Sequence, residues 1–442
     1  MTTEHPGGFH PSTRPYRFTI LLFISLLVLG SYFAYDSIGA LAPQLITELN
    51  LDRTTIGNLY SVYSVAAIFI VFFGGILYDK LGPRRASLLF SSLVFVGAVM
   101  VAMATAKTKW MLFGGRLIFG AGSESLIVVQ SAIISRWFKG KEMAMAFGIA
   151  LTVSRVGTLF AFNTEALIDR YFGGFRVALW AAALLCLFSV LCNLVFNLMD
   201  KHGEKVLALP KPDAGDKIIF SDIKKFSSSY WFVVLLCVTF YSAIFPFTAL
   251  APDMFHDKWH LPMVSASSGS FLSQVFFNFT HMFTTAPGVT SIVIAASMIF
   301  APFAGDLVDR IGKRASLMVL GSLILIPAHL LLGITHWNPI PMMVMLGAAF
   351  VLVPAAMWPS VPLVVDEKRV GTAFGLMTAI QNLGLGLFPY LNGKLRDLTG
   401  TYTATQVMFA GLGIAGLIFA FLLLRSDKRL GGVLEAGRAK EG

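Results

Sequence analysis

The sequence predicts an all-α membrane protein, with twelve transmembrane helices in two pseudo-symmetric six-helix bundles and both termini cytoplasmic. Three observations carry this expectation. The 442 residues are 56% hydrophobic and only 13% charged, about half the charged share of an ordinary soluble domain. Apolar stretches of the roughly 20 residues that cross a bilayer recur from residue 18 to residue 424. One patterned loop occurs twice, at a constant offset of 230.

The spans follow in order. The first, 18–42, reads FTILLFISLLVLGSYFAYDSIGAL at its apolar core and carries Asp36; it is too long for a signal-peptide core and is read as a permanent helix. The second and third, 55–78 and 86–106, flank the stretch GGILYDKLGPRRASLLF (74–90). The fourth, 111–135, holds Arg116 and Glu124 within GRLIFGAGSESLIVVQ, and the fifth, 143–168, holds Arg155 within LTVSRVGTLF. The sixth, 177–199, closes the first bundle. A polar segment rich in Lys, Asp and Pro, 200–229, reads as a cytoplasmic linker. Spans at 230–252, 288–308, 315–336, 341–365, 371–393 and 402–424 make the second bundle. The domain plan is a tail at 1–17, bundles at 18–199 and 230–424, and a tail at 425–442. A long noncytoplasmic segment, 253–288, interrupts the second bundle.

Charge sets the orientation. The net charge is +10, with 34 Lys and Arg. Of these, 24 lie in the loops and tails on the side of the termini, against eight opposite: Arg53, Lys107, Lys109, Arg170, Arg176, Lys258, Lys394 and Arg396. Excess Lys and Arg marks the cytoplasmic face. The basic charge thus orients the chain in lipid and gives no nucleic-acid patch. Arg116 and Arg155 belong to neither group, because they sit inside spans.

The repeated loop is the strongest motif. Gly75, Asp79, Lys80, Gly82 and Arg84 match Gly305, Asp309, Arg310, Gly312 and Arg314 in register, the mark of an internal duplication. A hairpin with positive-inside charges would account for one copy but not for two in register. The pattern G-x-x-x-D-[RK]-x-G-x-[RK] resembles the signature loop of the major facilitator superfamily, which joins the second and third helices of each half. The first copy departs by carrying Pro83 where a basic residue is usual. Asp79 and Asp309 would cap a helix or pair with Arg, latching one conformation. The resemblance implies a solute site near the bilayer midplane, in a central cavity lined mainly by helices 1, 4, 5, 7, 8, 10 and 11.

Glu124 and Arg155 are equidistant from the turn FKGKE. Antiparallel helices leaving one turn bring equidistant residues to equal depth, here roughly 23 Å at 1.5 Å per residue, past the midplane. They are expected to be level neighbours, since an unpaired charge at that depth costs several kcal/mol and defaults to a functional role. Arg116 lies eight residues from Glu124 on the same helix, about 12 Å along the axis, so the two do not pair directly. Asp36 reaches a depth similar to Arg116, which makes Asp36–Arg116 the second expected pair, with a coupling or gating role. A helix-locking role is the competing reading of both pairs.

The second half holds no Lys, Arg or Glu inside its spans, and Asp253 and Asp306 fall near span ends. Its neutral candidates for solute contact are Tyr241, Trp358, Gln381 and Asn382. The last two are adjacent and cannot both face a cavity squarely. His329 is read as a helix-contact residue, and Cys186, Cys192 and Cys237 as packing residues. No cofactor, metal cluster or nucleophile–base arrangement is indicated, so an enzyme is not expected. A membrane sensor is disfavoured too, because no sizeable soluble domain is appended.

An Arg–Glu pair offers one cation and one anion, which suits a zwitterion. The runs GSESLIVVQSAIISRWFKGKEMAMAFGIALTVSRVGT, FSDIKKFSSSYWF, FYSAIFPF and GTAFGLMTAIQNLGLG resemble the lysosomal dipeptide transporter branch of the superfamily. The resemblance implies that Glu124 and Arg155 bind the dipeptide termini during facilitated movement. The rival reading is a proton-coupled organic-anion or drug transporter using Asp36, Arg116 and Glu124. Two departures stand out. Segment 253–288 is longer than in the branch and carries VFFNFTHMF, read as an interfacial helix in preference to a lid, with NFT a glycosylation sequon only where that face meets a eukaryotic lumen. The first 18 residues show no dileucine signal, so an inner plasma membrane is expected over a lysosomal one. The expected partners are a small-molecule substrate and the bilayer, with the chain acting as a monomer and no accessory subunit assigned.

Overall fold

A computed structural model describes residues 10–139, 141–207, 224–265, 269–366, 369–429 and 431–436. Their regular structure is helical throughout. The first half contains α1 (Arg14–Ala40), α2 (Ala42–Glu48), α3 (Arg53–Met103), α4 (Trp110–Phe138), α5 (Met143–Phe172) and α6 (Phe175–Leu207). The second contains α7 (Ser228–Thr248), α8 (Ala251–Trp259), α9 (Phe271–Thr280), α10 (Ala286–Ile311), α11 (Arg314–Ile334), α12 (Ile340–Met357), α13 (Val361–Val364), α14 (Val370–Thr399) and α15 (Thr403–Arg429). Ten helices among the described residues are long and apolar enough to cross a membrane. The expected spans 55–78 and 288–308 lie within α3 and within the 26-residue α10, where several side chains fall outside the described residues.

Several boundaries differ from the sequence reading for physical reasons. The expected second and third spans both lie in α3, which is interrupted between them by the non-helical Gly82 (φ 72°, ψ 170°) with Pro83 following, so two helices meet there. Its counterpart Gly312 ends α10 with φ 63°. Both motif glycines therefore hold positive φ, which a Cβ would disfavour, and the repeat is visible in the backbone as well as the letters. Helix α6 continues past residue 200 to Leu207, because Asp200 is buried in ion pairs described below. The rest of the expected linker, 208–223, lies outside the described residues. The tenth span breaks at Met357 into a 3-10 turn, Trp358–Ser360, before α13.

The segment after α15 is docked rather than trailing. Leu434 is fully buried, and its carbonyl accepts the Arg314 N–H at 2.8 Å. The Glu435 carboxylate accepts from Ser316 N at 2.9 Å and Ser316 Oγ at 2.7 Å. These donors belong to the first turn of α11, where N–H groups lack helical partners and a carboxylate is electrostatically suited.

The chain forms two compact units. The first comprises Met1–Ser37, Phe69–Ala161 and Arg176–Gly215, and the second Ile38–Ile68, Phe162–Phe175 and Asp216–Gly442. The division does not follow the two sequence halves, since α2, the start of α3 and the end of α5 pack with α7–α15. Gly57 on α3 shows how close that packing is: a Cβ there would stand 2.0 Å from the Pro389 carbonyl oxygen of α14. Close approach through small residues is how helices associate without a hydrophobic drive between them.

Candidate functional site

In the first unit α1, α4 and α5 meet around Tyr32. The Ser31 and Ser123 hydroxyls hydrogen-bond at 2.5 Å, fixing α1 to α4 one residue before Tyr32 and one before Glu124. Gln130 Nε2 donates to the Ile24 carbonyl at 3.1 Å lower on the same seam. On α5, Gly157 faces the Leu29 carbonyl so closely that a Cβ would sit 2.5 Å from its oxygen. Glu124, Arg155 and Asp36 all lie within electrostatic reach of the Tyr32 hydroxyl. Glu124 and Arg155 are both half-buried. Tyr32 is absent from the residues singled out in the sequence, where it looks like one aromatic among many.

One turn further along α1, Asp36 is 6% exposed and accepts a hydrogen bond from Thr158 Oγ1 at 2.6 Å. Arg116 is near enough to act on the same carboxylate electrostatically. Arg116 is 1% exposed, and its guanidinium stacks 5.0 Å from the Tyr35 ring centroid and 5.3 Å from that of Phe119, a desolvated cation–π arrangement. A small recess beside it is lined by Ala34, Ser37, Ala98, Val101, Leu179 and Ala182. Thr158, three residues after Arg155, is the partner the sequence reading did not name.

In the second unit, the Trp358 indole donates to the Tyr241 hydroxyl at 2.9 Å. Tyr241 also stacks with Phe245 at 5.8 Å and 6° and meets Phe350 edge-on. The two expected contact residues are thus joined in one aromatic cluster. Gln381 and Asn382 point differently, as adjacent helical positions must. Gln381 is half-buried, with the Cys237 thiol 3.5 Å from its Oε1. Asn382 is 3% exposed and donates to the Thr378 carbonyl of its own helix. His329 is fully buried and hydrogen-bonds Gln406 Oε1 at 2.8 Å, tying α11 to α15.

The first repeated loop feeds an ion-pair cluster. Arg84 reaches Asp200 at 3.1 Å and also pairs with Glu204. Arg136 reaches the same two carboxylates at 3.2 and 3.3 Å, and Trp137 Nε1 donates to Asp200 at 2.9 Å. The Asp79 and Asp309 side chains lie outside the described residues, as does everything about Gly75 beyond its place in α3. Lys80 and Arg310 are exposed; Gly305 lies in α10, and Arg314 opens α11 beneath the docked tail.

A second polar seam lies at the end that the charge bias marks as noncytoplasmic, within the second unit. Arg53 Nε and Nη2 hold the two oxygens of Asp253 at 2.5 and 3.3 Å. The Tyr402 hydroxyl donates to the same carboxylate. Asp397 accepts from the Thr54 N–H and hydroxyl at 2.7 and 2.6 Å, and Arg396 pairs with Asp257 at 2.9 Å. Lys258 donates to the Leu332 and Gly333 carbonyls at 2.6 and 2.7 Å, and burial lowers its pKa. On α5, Glu165 is fully buried, a carboxylate that the sequence reading passed over. No cluster of three or more His, Cys, Asp or Glu suited to a metal exists among the described residues.

Comparison with known proteins agrees with this architecture. The family model of the Major Facilitator Superfamily matches residues 24–286 and 277–441. The chain is 34% identical over 431 residues to the lysosomal dipeptide transporter MFSD1 of Danio rerio, covering 94% of this chain and 88% of that one. It is 32% identical over 440 residues to the Homo sapiens protein of the same name, covering 97% and 90%. Among solved structures, the nucleoside transporter NupG superposes with a TM-score of 0.68 at 17% identity, covering 92% of this chain and 99% of that one. That likeness speaks to the fold.

Proposed function

The chain belongs to the Major Facilitator Superfamily, and from that premise we propose that it moves small zwitterionic solutes, dipeptides foremost, by alternating access. It is a multi-pass membrane transporter and not an enzyme. The observation supporting the solute class is the convergence on Tyr32 of one acid, Glu124, and one base, Arg155. Arg takes a carboxylate through parallel hydrogen bonds, and Glu receives an ammonium. Tyr241, Trp358 and Gln381 are the neutral candidates for solute contact in the second unit. The two animal relatives are named dipeptide transporters, in agreement with this reading.

Thermal unfolding of the purified protein against dipeptides, single amino acids, dicarboxylates and organic cations tests it. A ligand at 100 times its Kd stabilises by about 2.7 kcal/mol. Dipeptides are expected to raise the melting temperature, and Glu124→Ala and Arg155→Ala each to abolish the response. A response confined to monocarboxylates sinks the proposal.

A second reading rests on Asp36, buried and hydrogen-bonded by Thr158 with Arg116 close by. Those residues with Glu124 would couple organic-anion or drug movement to protons. Uptake into proteoliposomes that follows an imposed pH gradient, and loses that dependence in Asp36→Asn, favours it over facilitated movement. The relatives named above are lysosomal by name, whereas the sequence expectation is an inner plasma membrane; fractionation of native membranes decides between them. Light scattering on the purified protein tests the monomer.

A further inference from the structure

Helix α9 buries two amide side chains and exposes two large apolar ones, beside the exposed hydroxyls of Ser273 and Thr280. Gln274 and Asn278 are 8% and 5% exposed, while Leu272 and Phe276 are 77% and 72% exposed, with Phe283 just beyond at 48%. The buried amides are hydrogen-bonded. Asn278 Oδ1 accepts from Ser265 Oγ at 2.6 Å, and its Nδ2 donates to the Asn163 carbonyl of α5 at 3.1 Å. Asn163 Nδ2 in turn donates to Ser291 Oγ of α10 at 3.0 Å. Gln274 donates to the Gly269 carbonyl at 3.0 Å. The same contacts bury Asn278, the acceptor residue of the NFT sequon, so it is closed to a glycan in this fold.

From this arrangement we propose that α9 is a lipid-anchored strap. Its apolar face lies in the headgroup–acyl boundary of the leaflet that the charge bias marks as noncytoplasmic, and its polar spine holds it to α5. Three features single out lipid as the occupant. Phe271 packs on Tyr171 and Phe172, with ring centroids at 5.6 and 5.1 Å. Those two residues close a membrane-crossing helix, and Tyr and other aromatics gather at that depth. The outward patch is therefore continuous with a lipid-facing exterior. Residues 271–284 carry no Asp, Glu, Lys or Arg, which leaves no charge with which to select a protein partner or face water. Finally, the chain returns directly into α10 at Ala286, with Thr285 capping it, so α9 is held at the level of the helix ends. An uncharged helix lying in that plane is stabilised by burying its apolar side among lipids.

Nitroxide labels on Leu272→Cys and Phe276→Cys, in full-length protein reconstituted in phosphatidylcholine nanodiscs, test the proposal by electron paramagnetic resonance; Cys186, Cys192 and Cys237 are buried and stay unlabelled. Collision with molecular oxygen is expected to exceed collision with a water-soluble nickel chelate several-fold at both sites. Dominance of the nickel chelate places the face in water and overturns the proposal. Exclusion of both reagents means that a protein covers the face, and overturns it too. The strap role has its own readout: Leu272→Asp with Phe276→Asp is expected to speed proteolysis of segment 261–270 several-fold in nanodiscs. Unchanged cleavage overturns the anchoring.

Discussion

Arg53 on α3 and Asp253 on α8 form a two-pronged ion pair, at 2.5 and 3.3 Å, that joins helices from the two sequence halves. Asp253 is 4% exposed and also takes the Tyr402 hydroxyl. Removing one partner of a fully buried pair costs about 3–5 kcal/mol, because a charge is left stranded. The Arg53 side chain is 23% exposed, so solvent screens part of that cost, and Arg53→Met is expected to lose about 2 kcal/mol. The double variant Arg53→Met, Asp253→Leu is expected to recover at least half of the loss. Thermal unfolding of the four proteins, as a double-mutant cycle, checks this; equal losses in the single and double variants would contradict it.

Gly157 sets how near α5 comes to α1. A methyl placed there would lie 2.5 Å from the Leu29 carbonyl oxygen, and backbone cannot move aside as a flexible side chain can. Overpacking of this kind costs about 1–3 kcal/mol. Gly157→Ala is expected to melt lower and to weaken dipeptide-induced stabilisation, since Arg155 is displaced with the helix. Gly148→Ala, where nothing stands within 4 Å, is the control and is expected to leave both readouts unchanged.

At the repeated loop, Asp200 and Glu204 accept from the same two arginines but differ in burial. The Asp200 side chain is 0% exposed and that of Glu204 43%. Asp200→Asn takes the buried carboxylate from Arg136, 4% exposed, and from Arg84, 35% exposed, leaving the exposed Glu204 as their shared partner, with an expected loss of about 2 kcal/mol after solvent screening. Glu204→Gln is expected to lose under about 1 kcal/mol, as exposed ion pairs do. Denaturant or thermal unfolding of the two single variants checks the order, and the reverse order would refute the account of α6.

The sequence made parts of this architecture readable and hid others, for identifiable reasons. Glu124, Arg155, Arg116 and Asp36 stand out because apolar neighbours make any charge conspicuous. The repeat is legible because Gly82 and Gly312 must be glycine where φ is positive, and that need leaves a fixed letter in each copy. Asp200, Asp253 and Arg53 were not legible as partners, since a charge beside a span reads the same whether it is solvated or paired. Tyr32 and Thr158 were hidden because helical spacing gives depth but not azimuth, and only the folded helices show which hydroxyl turns toward a charge. Glu165 sits close to its helix end in sequence, where burial cannot be read. The polar face of α9 went unread because an interfacial helix is expected to bury its apolar side in lipid, and the sequence does not say what the opposite side meets.

Tyr32 is the test of whether the convergence on α1 matters for the solute. A hydroxyl that hydrogen-bonds a bound ligand contributes about 0.5–1.5 kcal/mol net, or more when its partner is charged. Tyr32→Phe keeps the ring and removes the hydroxyl, so affinity for a stabilising dipeptide is expected to fall about 3- to 10-fold with little change in the unliganded melting temperature. Titration calorimetry or the concentration dependence of the melting shift measures it. Unaltered affinity would separate Tyr32 from the solute.

The docked tail yields the last expectation. Glu435 places both carboxylate oxygens on Ser316 at the start of α11, where N–H groups point outward without helical partners. A side-chain acceptor in that position stabilises by about 1 kcal/mol, and the helix dipole favours its negative charge. Glu435→Ala therefore loses about 1 kcal/mol on this account, whereas Glu435→Gln keeps an acceptor and loses less. Because Leu434 is fully buried beside it, Leu434→Ala is expected to cost more than either, about 2–3 kcal/mol for a truncated core leucine. Melting temperatures should therefore fall least for Glu435→Gln, further for Glu435→Ala and furthest for Leu434→Ala. A tail that merely trailed from α15 would leave all three equal to the parent protein.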